Sequence, residues 1–286
     1  VWRIVWYRRL LPPDPLMAGE PADSNDEFPW WLVAAAGFAV AIAILIAANG
    51  IYTQVFTTLV KGIWTTLFVT AVGFSLACLT GLGLAIMGLS RFKVLRQIAR
   101  FYVEIIRGIP ILVLLFYIAF VGAPAFVAFW NFITAPLQSA GLFGPMGIRD
   151  FSLLWRAIIA LMIGYSAFLA EIFRAGIQAV DKGQIEAAKA LGLTSWLRFR
   201  LIVFPQAIRT ILPPLGNDFI AMVKDSSLVS VLGVSDITQL GKVYASGSFR
   251  FFETYSIVAY IYLVMTISLS LALRRLEKRM RRADEG

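Results

Sequence analysis

Long apolar runs alternate with short polar segments along most of this chain. A helix that crosses a bilayer needs about 20 predominantly apolar residues, because each residue advances the axis by only about 1.5 Å. Six runs approach this length, and they cover residues 31–48, 63–89, 101–121, 153–173, a stretch within 205–232, and 254–273. The pattern predicts an all-α polytopic membrane protein with six spans.

Glycine and proline residues modify this pattern in two places. Gly122-Ala123-Pro124 follows the third run and is predicted to mark its exit from the membrane. Residues 125–150 stay apolar but contain further Gly and Pro residues, which favours a short interfacial helix and loop over another span. Four glycines of the second run are expected to let neighbouring helices approach closely: Gly73, Gly81, Gly83 and Gly88.

The composition agrees with a membrane protein and excludes several kinds of chemistry. Hydrophobic residues make up 59% of the chain and charged residues 15%, and the mean hydropathy is +0.77. The chain has one cysteine, Cys78, and no histidine. A disulfide, a Cys/His metal site and histidine-based acid–base catalysis are therefore excluded within it. We expect no catalytic residue and no metal site.

The positions of the Lys and Arg residues predict the orientation in the membrane. Most of them fall in segments that share one side when the N-terminus is cytoplasmic, and the positive-inside rule then places both ends in the cytoplasm. Residues 1–29 are predicted to be a cytoplasmic tail, 30–50 the first transmembrane helix, and 276–286 a basic cytoplasmic tail. The net charge of +9 is thus explained by topology, and we expect no nucleic-acid partner.

Residues 176–205 form a polar segment on the predicted cytoplasmic side, between the fourth and fifth runs. Residues 184–191 are good helix formers, Gly192 suits a left-handed C-cap, and Thr194 or Ser195 can cap a second helix before Pro205. We expect a compact helix-turn-helix. Its Ala187, Ala188 and Leu191 are expected to form one small apolar face that could enter a groove on a partner.

The spacing within this segment resembles the EAA loop by which permease subunits of ABC importers contact their ATPase. The family pattern is Glu-Ala-Ala, three residues, Gly, nine residues, then Ile-x-Leu-Pro. Here Glu186, Ala187, Ala188, Gly192, Ile202 and Pro205 match it, and Phe204 replaces the usual Leu. Further segments resemble the polar amino acid branch of that family: residues 104–110, 176–184, 205–209, 212–217 and 224–230. The resemblance covers roughly residues 60–275.

This resemblance implies a type I ABC importer transmembrane domain, with a five-helix core at 60–275 and one extra N-terminal helix. It implies a multi-pass protein of the bacterial inner membrane that carries an L-amino acid. The implied partners are ATPase subunits that bind ATP and Mg²⁺, a second permease subunit, favoured as a heterodimer, and a periplasmic amino-acid-binding protein. The implied coupling loop contains Glu186, Ala187, Ala188, Leu191, Gly192 and Pro205. The chain itself has no Gly-x4-Gly-Lys-Ser/Thr pattern, so ATP hydrolysis would come from a partner and this chain would not be an enzyme.

Polar residues near the membrane-spanning runs are candidates for contact with a substrate, because such groups are costly in a bilayer. A carboxylate could meet the ammonium of an amino acid, and a lysine or a serine hydroxyl could meet its carboxylate. The candidates are Glu171, Arg174, Asp218, Lys224, Asp225, Ser226 and Ser227. Glu171 and Arg174 are also spaced i, i+3 on one predicted helix, so these two could instead pair with each other.

Two other classes of protein remain to be compared. An intramembrane enzyme would need a nucleophile or metal ligands, and Cys78 has no obvious base beside it in the sequence. A secondary amino acid transporter or channel without an ATPase partner fits the composition, but it would have no use for the polar loop.

Overall fold

The computed structural model describes residues 30–282, without the side chains of Trp31, Arg281 and Arg282. Backbone contacts divide the chain into residues 1–44 and residues 45–286, and the core and the candidate site lie in the second unit. The predicted tail at 1–29 and residues 283–286 lie outside the described residues. Twelve α-helices occupy the described part of the chain: α1 Trp30–Ala48, α2 Gly50–Leu59, α3 Lys61–Gly88, α4 Lys93–Gly108, α5 Ile111–Tyr117, α6 Ala123–Ser139, α7 Leu153–Gln178, α8 Lys182–Ala190, α9 Ser195–Arg198, α10 Phe204–Asp225, α11 Ile237–Ser248 and α12 Phe251–Arg282.

Within residues 30–282, four helical stretches are long and apolar enough to cross a membrane, judged by length and composition. They are Gly50–Gly88, Ile111–Ser139, Leu153–Gln178 and Phe251–Met280. The predicted first run is a shorter apolar helix, Leu32–Ala48. The predicted fifth run is helix α10, which carries charged residues including Asp218, Lys224 and Asp225 and is therefore less apolar. At the C-terminus, the basic residues predicted as a tail from 276 continue helix α12 as far as Arg282.

The boundaries predicted for the third span are wrong. The helix breaks earlier, at Ile109 and Pro110, because proline disfavours the helical conformation of the residue before it, and Ile109 is extended. Phe101 therefore belongs to α4, and the following helix starts at Ile111. The chain stays helical through Gly122-Ala123-Pro124 and continues to Ser139, so the predicted exit point is not an interruption of the helix.

A π-helical segment explains how the helix passes Pro124. Residues Ile118–Gly122 form this segment, and the Ala123 N–H donates to the Ile118 carbonyl, five residues back. Proline has no N–H to offer the preceding turn, so in this register the Ala119 carbonyl has no partner within its own helix. Arg156 of α7 supplies the missing donor, because its Nη1 lies 3.2 Å from the Ala119 oxygen. The proline is thus accommodated by a contact from another helix.

Arg156 is buried and bonds to three backbone carbonyls. Besides Ala119, its Nε donates to the Phe151 oxygen at 2.7 Å and its Nη2 donates to the Ile148 oxygen. Its guanidinium also lies over the Phe151 ring, 5.9 Å from the centroid. This side chain therefore joins the start of α7 to the loop before it and to the π-helical segment.

The core is built around α3 and α7. Val69 and Ala77 of α3 and Ile158, Leu161 and Leu169 of α7 are fully buried in one hydrophobic cluster. These two helices are in close contact at Gly81, where an added Cβ would lie 2.9 Å from the Ser166 carbonyl oxygen. The prediction that the α3 glycines permit close packing therefore holds at Gly81.

The prediction of close helix packing does not hold at the other three glycines of α3. A Cβ at Gly73 would make an ordinary contact, 3.5 Å from Met222 Cε, and a Cβ at Gly83 or Gly88 would meet nothing within 4 Å. Spacing along a helix does not reveal which of its faces a neighbour will occupy, so the sequence could not separate these positions.

Candidate coupling loop and substrate path

Residues 176–205 form the predicted helix-turn-helix, with α8 and α9 as its two helices. Helix α8 begins at Lys182, two residues before the predicted start, because the Asp181 side chain accepts a hydrogen bond from the Gln184 N–H at 3.2 Å. Asp at the N-cap with Gln three residues later is a recognised start pattern for a helix. That pattern was present in the sequence and could have set the boundary correctly.

The turn after α8 closes at Gly192, as predicted. Gly192 has a φ of +76°, in the left-handed region where glycine avoids the Cβ penalty of other residues. The Leu193 N–H donates to the Ala188 carbonyl at 3.1 Å, and the Gly192 N–H donates to the Lys189 carbonyl at 3.0 Å. These two bonds make a Schellman motif, which fixes the direction in which the chain leaves α8.

The second helix of the loop is capped by Thr194. Its side-chain oxygen accepts from the Leu197 N–H at 3.4 Å. Ser195, the other candidate cap, instead accepts from Arg198 Nη2 at 3.0 Å, so it is not the cap. The cap is therefore the residue directly before the helix. From that position its side chain can accept a hydrogen bond from an N–H group of the first turn, which has no partner within the helix.

The predicted apolar face of Ala187, Ala188 and Leu191 is wrong. Ala188 is buried against the rest of the chain, whereas Ala187 is exposed and Leu191 is 81% exposed. Adjacent helical residues are rotated by about 100°, and here that rotation turns Ala188 toward the rest of the chain and leaves Ala187 on the surface. Ala187 and Leu191, spaced i, i+4, remain available on the surface, with Glu186 exposed beside them.

Aromatic residues extend this exposed surface, and the sequence analysis missed them. Trp196 is 65% exposed and stacks on Phe199, with the ring centroids 5.9 Å apart. Phe199 in turn contacts Phe204, also at 5.9 Å. Large aromatic side chains in a predicted polar loop were a signal that could have been used, because tryptophan in particular is enriched at interfaces.

The loop is continuous with α10 through a second π-helical segment. Residues Phe199–Val203 form it, and the Phe204 N–H donates to the Phe199 carbonyl, again five residues back. Pro205 stands two residues beyond this segment, as Pro124 stands two residues beyond Ile118–Gly122. No break separates α9 from α10, so a displacement of the loop would be carried directly into α10.

Contacts between α7, the loop and α10 hold these elements together. Gln206 Nε2 donates to Gln184 Oε1 at 2.6 Å, which joins α10 to α8. At Gly176 of α7, an added Cβ would overlap the Ile211 side chain, with Cγ1 2.2 Å away. The end of α7 and the start of α10 thus pack closely on both sides of the loop.

Helix α10 brings some of the predicted substrate residues together. Asp218 and Asp225 are spaced i, i+7 and so lie on the same side of the helix, about two turns apart. Asp225 accepts a hydrogen bond from the hydroxyl of Tyr165 on α7 at 2.8 Å. Tyr165 is buried, and sequence analysis gave it no role because a lone tyrosine within an apolar run has no motif around it.

The remaining candidates on this stretch differ in availability. Lys224 is exposed and Ser227 is half-buried. Ser226 is buried, and its hydroxyl donates to the Val223 carbonyl at 2.7 Å, so this side chain is already bonded to the last turn of α10. The expectation that Ser226 offers its hydroxyl to a substrate is therefore not supported by its geometry.

Glu171 and Arg174 pair with each other, which was the second interpretation of their spacing. Arg174 Nε lies 3.1 Å from Glu171 Oε1, Nη2 contacts Oε2, and Nη1 donates to Gln178 Oε1 at 2.8 Å. Both are about a third exposed, so the pair contributes no more than about 1 kcal/mol to stability. They line a cavity of about 300 Å³ with residues of α3 and α4 but none of α10. The predicted substrate residues thus fall into two separate groups.

Comparison with known proteins places this fold in a family. Residues 77–282 match the family model described as Binding-protein-dependent transport system inner membrane component. The chain belongs to this family. It is therefore a multi-pass membrane component of a transport system, and its all-α fold is that of an ABC importer transmembrane domain.

Individual relatives of this permease agree with the family. The Probable amino-acid permease protein YxeN of Bacillus subtilis (strain 168) is 38% identical over 225 residues, which cover 79% of this chain and 92% of the relative. The Glutamine transport system permease protein GlnP of Escherichia coli (strain K12) is 35% identical over 226 residues, which cover 78% of this chain and 93% of the relative.

Solved structures similar to this permease are also ABC transporters. One is a crystal structure of an amino acid ABC transporter with histidines, 39% identical with a TM-score of 0.64, covering 80% of this chain and 95% of that one. An inward-facing MetNI methionine ABC transporter has a TM-score of 0.58, covering 78% of this chain and 95% of that one, and at 20% identity it supports the fold alone.

Proposed function

We propose that this permease is the membrane-spanning subunit of an ATP-driven amino acid importer in a bacterial inner membrane, and that its Glu186–Pro205 loop couples it to a separate ATPase. The observation that carries the proposal is the loop itself: a rigid turn at Gly192, exposed Glu186 and Leu191, and an unbroken connection into α10. The relatives named as amino-acid and glutamine permeases support the substrate class.

The assembly that we propose has this permease paired with a second permease subunit as a heterodimer. ATPase subunits bind ATP and Mg²⁺ on the cytoplasmic side, and a periplasmic binding protein delivers an L-amino acid. When the ATPase subunits close, they move the loop, and because α9 continues into α10 the motion reaches the helix that carries Asp218 and Asp225. Glu186 and Gly192 act mechanically in this scheme.

The Gly192→Val variant tests the coupling proposal. Valine at a φ of +76° is strained, although nothing lies within 4 Å of the position where its Cβ would be, so the turn changes without a clash elsewhere. We expect loss of uptake and of substrate-stimulated ATP hydrolysis, with normal insertion into the membrane. Gly192→Asn is the matched control, because asparagine tolerates the left-handed region, and it should retain most activity.

Normal coupled uptake by Gly192→Val would exclude this docking mechanism. Uptake that follows an ion gradient in vesicles without any ATPase would instead favour the secondary transporter or channel.

We further propose that Asp218 contacts the substrate ammonium and that Lys224 or Ser227 contacts its carboxylate. Asp218 is half-buried on the face of α10 that also presents Asp225, and an ammonium would supply the charge partner that a carboxylate at this depth needs. Asp218→Asn and Lys224→Met should change the KM or the selectivity of uptake without loss of assembly. Glu277→Gln is the control, because it also removes a charge but lies near the end of α12. Uptake kinetics equal to those of the unmodified protein in all three variants would assign Asp218 and Lys224 to packing.

A further inference from the structure

An arginine within the membrane-spanning part of the fold has no role in the transport path proposed above. Arg107 lies in the last turn of α4, and its guanidinium lies over the ring of Phe168 on α7, 5.6 Å from the centroid. Phe168 belongs to the apolar span Leu153–Gln178 and lies about 15 Å inside the C-terminal end of that helix. A charged group at this depth is costly unless it faces the interior of the helix bundle or a water-filled cavity.

Helical geometry turns Arg107 toward the protein and away from lipid. Arg107 follows the buried Val103 by four residues, so the two side chains lie on the same side of α4. Ile105, which is 48% exposed, lies about 160° from Arg107 around the same helix. The Tyr102 hydroxyl lies 2.8 Å from the Ser166 hydroxyl and holds this part of α4 against α7. Arg107 is nevertheless exposed, so its charged end is open to a ligand that enters beside α7.

No carboxylate among the described side chains forms a salt bridge with Arg107. Glu104 stands three residues earlier on the same helix, a spacing that commonly gives an ion pair, yet it forms none with Arg107. The one salt bridge among those side chains joins Glu171 and Arg174. The contact with the Phe168 ring leaves the guanidinium N–H groups available, and their planar arrangement matches the two oxygens of a carboxylate.

The Phe168 ring also connects Arg107 to the acidic side of α10. Its centroid lies 6.4 Å from that of Tyr165, one turn earlier on α7. The Tyr165 hydroxyl donates to Asp225 at 2.8 Å, and Asp218 lies on the same side of α10 as Asp225. A positive group on α4 and negative groups on α10 therefore flank the same aromatic pair. An amino acid carries both complementary charges, a carboxylate and an ammonium, on one carbon.

We propose that Arg107 binds the α-carboxylate of the transported amino acid through its guanidinium, which the Phe168 ring holds in place. The proposal rests on the proposed function and adds a residue of α4 to the contacts proposed on α10. A carboxylate has two oxygens, so it can accept hydrogen bonds from Arg107 and from Lys224 or Ser227. Because every amino acid carries the α-carboxylate, Arg107 recognises the substrate class and not the individual side chain.

Isothermal titration calorimetry tests this role on the permease purified with its co-expressed partner subunits, in nanodiscs and without the periplasmic binding protein. Each of the common L-amino acids is titrated in turn, and the tightest binder is compared with its α-carboxamide, which lacks the carboxylate charge. The unmodified complex should bind the amino acid at least about tenfold more tightly, because hydrogen bonds between ionised groups are stronger than those to a neutral amide. In Arg107→Gln the two affinities should agree within about twofold, through weaker binding of the amino acid alone.

Two further variants complete the experiment. Arg91→Gln is the matched control and should keep the preference for the amino acid. Arg91 also has its guanidinium over an aromatic ring, 5.1 Å from the Phe92 centroid, but it lies before the start of α4. Arg107→Lys retains the charge without the planar guanidinium, so it should bind the amino acid with intermediate affinity and the carboxamide as before. If Arg107→Gln does not assemble, this variant carries the test.

Three outcomes would overturn the proposal that Arg107 binds the carboxylate. They are an unchanged preference in the Arg107 variants, an equal loss of amino acid and carboxamide binding, and loss of the preference in Arg91→Gln as well. Failure of every amino acid to bind the unmodified complex would overturn the proposed substrate class together with this proposal. Loss of coupled uptake in Gly192→Val with amino acid binding intact would count only against the coupling loop.

Discussion

Replacing Gly81 with alanine tests the close approach of α3 and α7. The added Cβ would lie 2.9 Å from the Ser166 carbonyl oxygen, 3.0 Å from Leu169 Cβ and 3.1 Å from the Ala170 nitrogen. These are backbone atoms and a Cβ, which cannot rotate away, so α3 or α7 must shift by a few tenths of an ångström. Gly83, two residues further along the same helix, is the matched control, because a Cβ there meets nothing within 4 Å.

The two substitutions should change the free energy of unfolding in opposite directions. Each stabilises its helix by about 0.5–1 kcal/mol, because alanine favours the helical conformation more than glycine does. At Gly81 this gain is opposed by overpacking, which costs about 1–3 kcal/mol in a well-packed interior. We therefore expect Gly81→Ala to lower the free energy of unfolding by up to about 2.5 kcal/mol and Gly83→Ala to raise it by about 0.5–1 kcal/mol.

Unfolding of the purified permease in mixed micelles, titrated with a denaturing detergent and followed by circular dichroism, measures this difference. The two variants should move the midpoint in opposite directions. Equal shifts for both variants, or a Gly81→Ala midpoint at or above that of the unmodified protein, would refute the inference that α3 and α7 are in contact at this position.

Two other substitutions test contacts that hold the rest of the fold. Arg156→Met leaves three carbonyls without their donor and should lower the free energy of unfolding by about 3 kcal/mol in the same assay. Arg149 is exposed, so Arg149→Met should change the free energy of unfolding little. Similar values for the two variants would contradict the role of Arg156 beside Pro124. Thr194→Ala removes the cap of α9 and should increase the rate of amide hydrogen exchange in that helix by about fivefold, corresponding to about 1 kcal/mol. Ser195→Ala is the control, and equal exchange rates in the two variants would contradict the assignment of Thr194 as the cap.

Much of the loop could be predicted from local pattern. Gly192 adopts the expected left-handed conformation and Thr194 is one of the two expected caps, because caps and turns depend on neighbouring residues. Ala188 was misplaced because its burial depends on what packs against α8. The same limit applies to Tyr165, whose partner Asp225 is 60 residues away in the chain.

Proline shows the boundary between local and tertiary information most clearly. At Pro110 the chain breaks, as the residue preference before proline predicts. At Pro124 and Pro205 the chain stays helical, because a π-helical segment precedes each proline, and at Pro124 a buried arginine from α7 satisfies the carbonyl that the proline cannot.

The sequence by itself determined the membrane class, the helical content, the position of the polar loop and the family, because apolar run length, turn residues and motif spacing are properties of neighbouring positions. Only the tertiary structure decided which α3 glycine meets α7, which candidate carboxylate already has an arginine partner, and which side of α4 is left exposed. Those outcomes depend on distances between segments far apart in the chain, and helical periodicity fixes the faces of a helix without fixing what each face will meet.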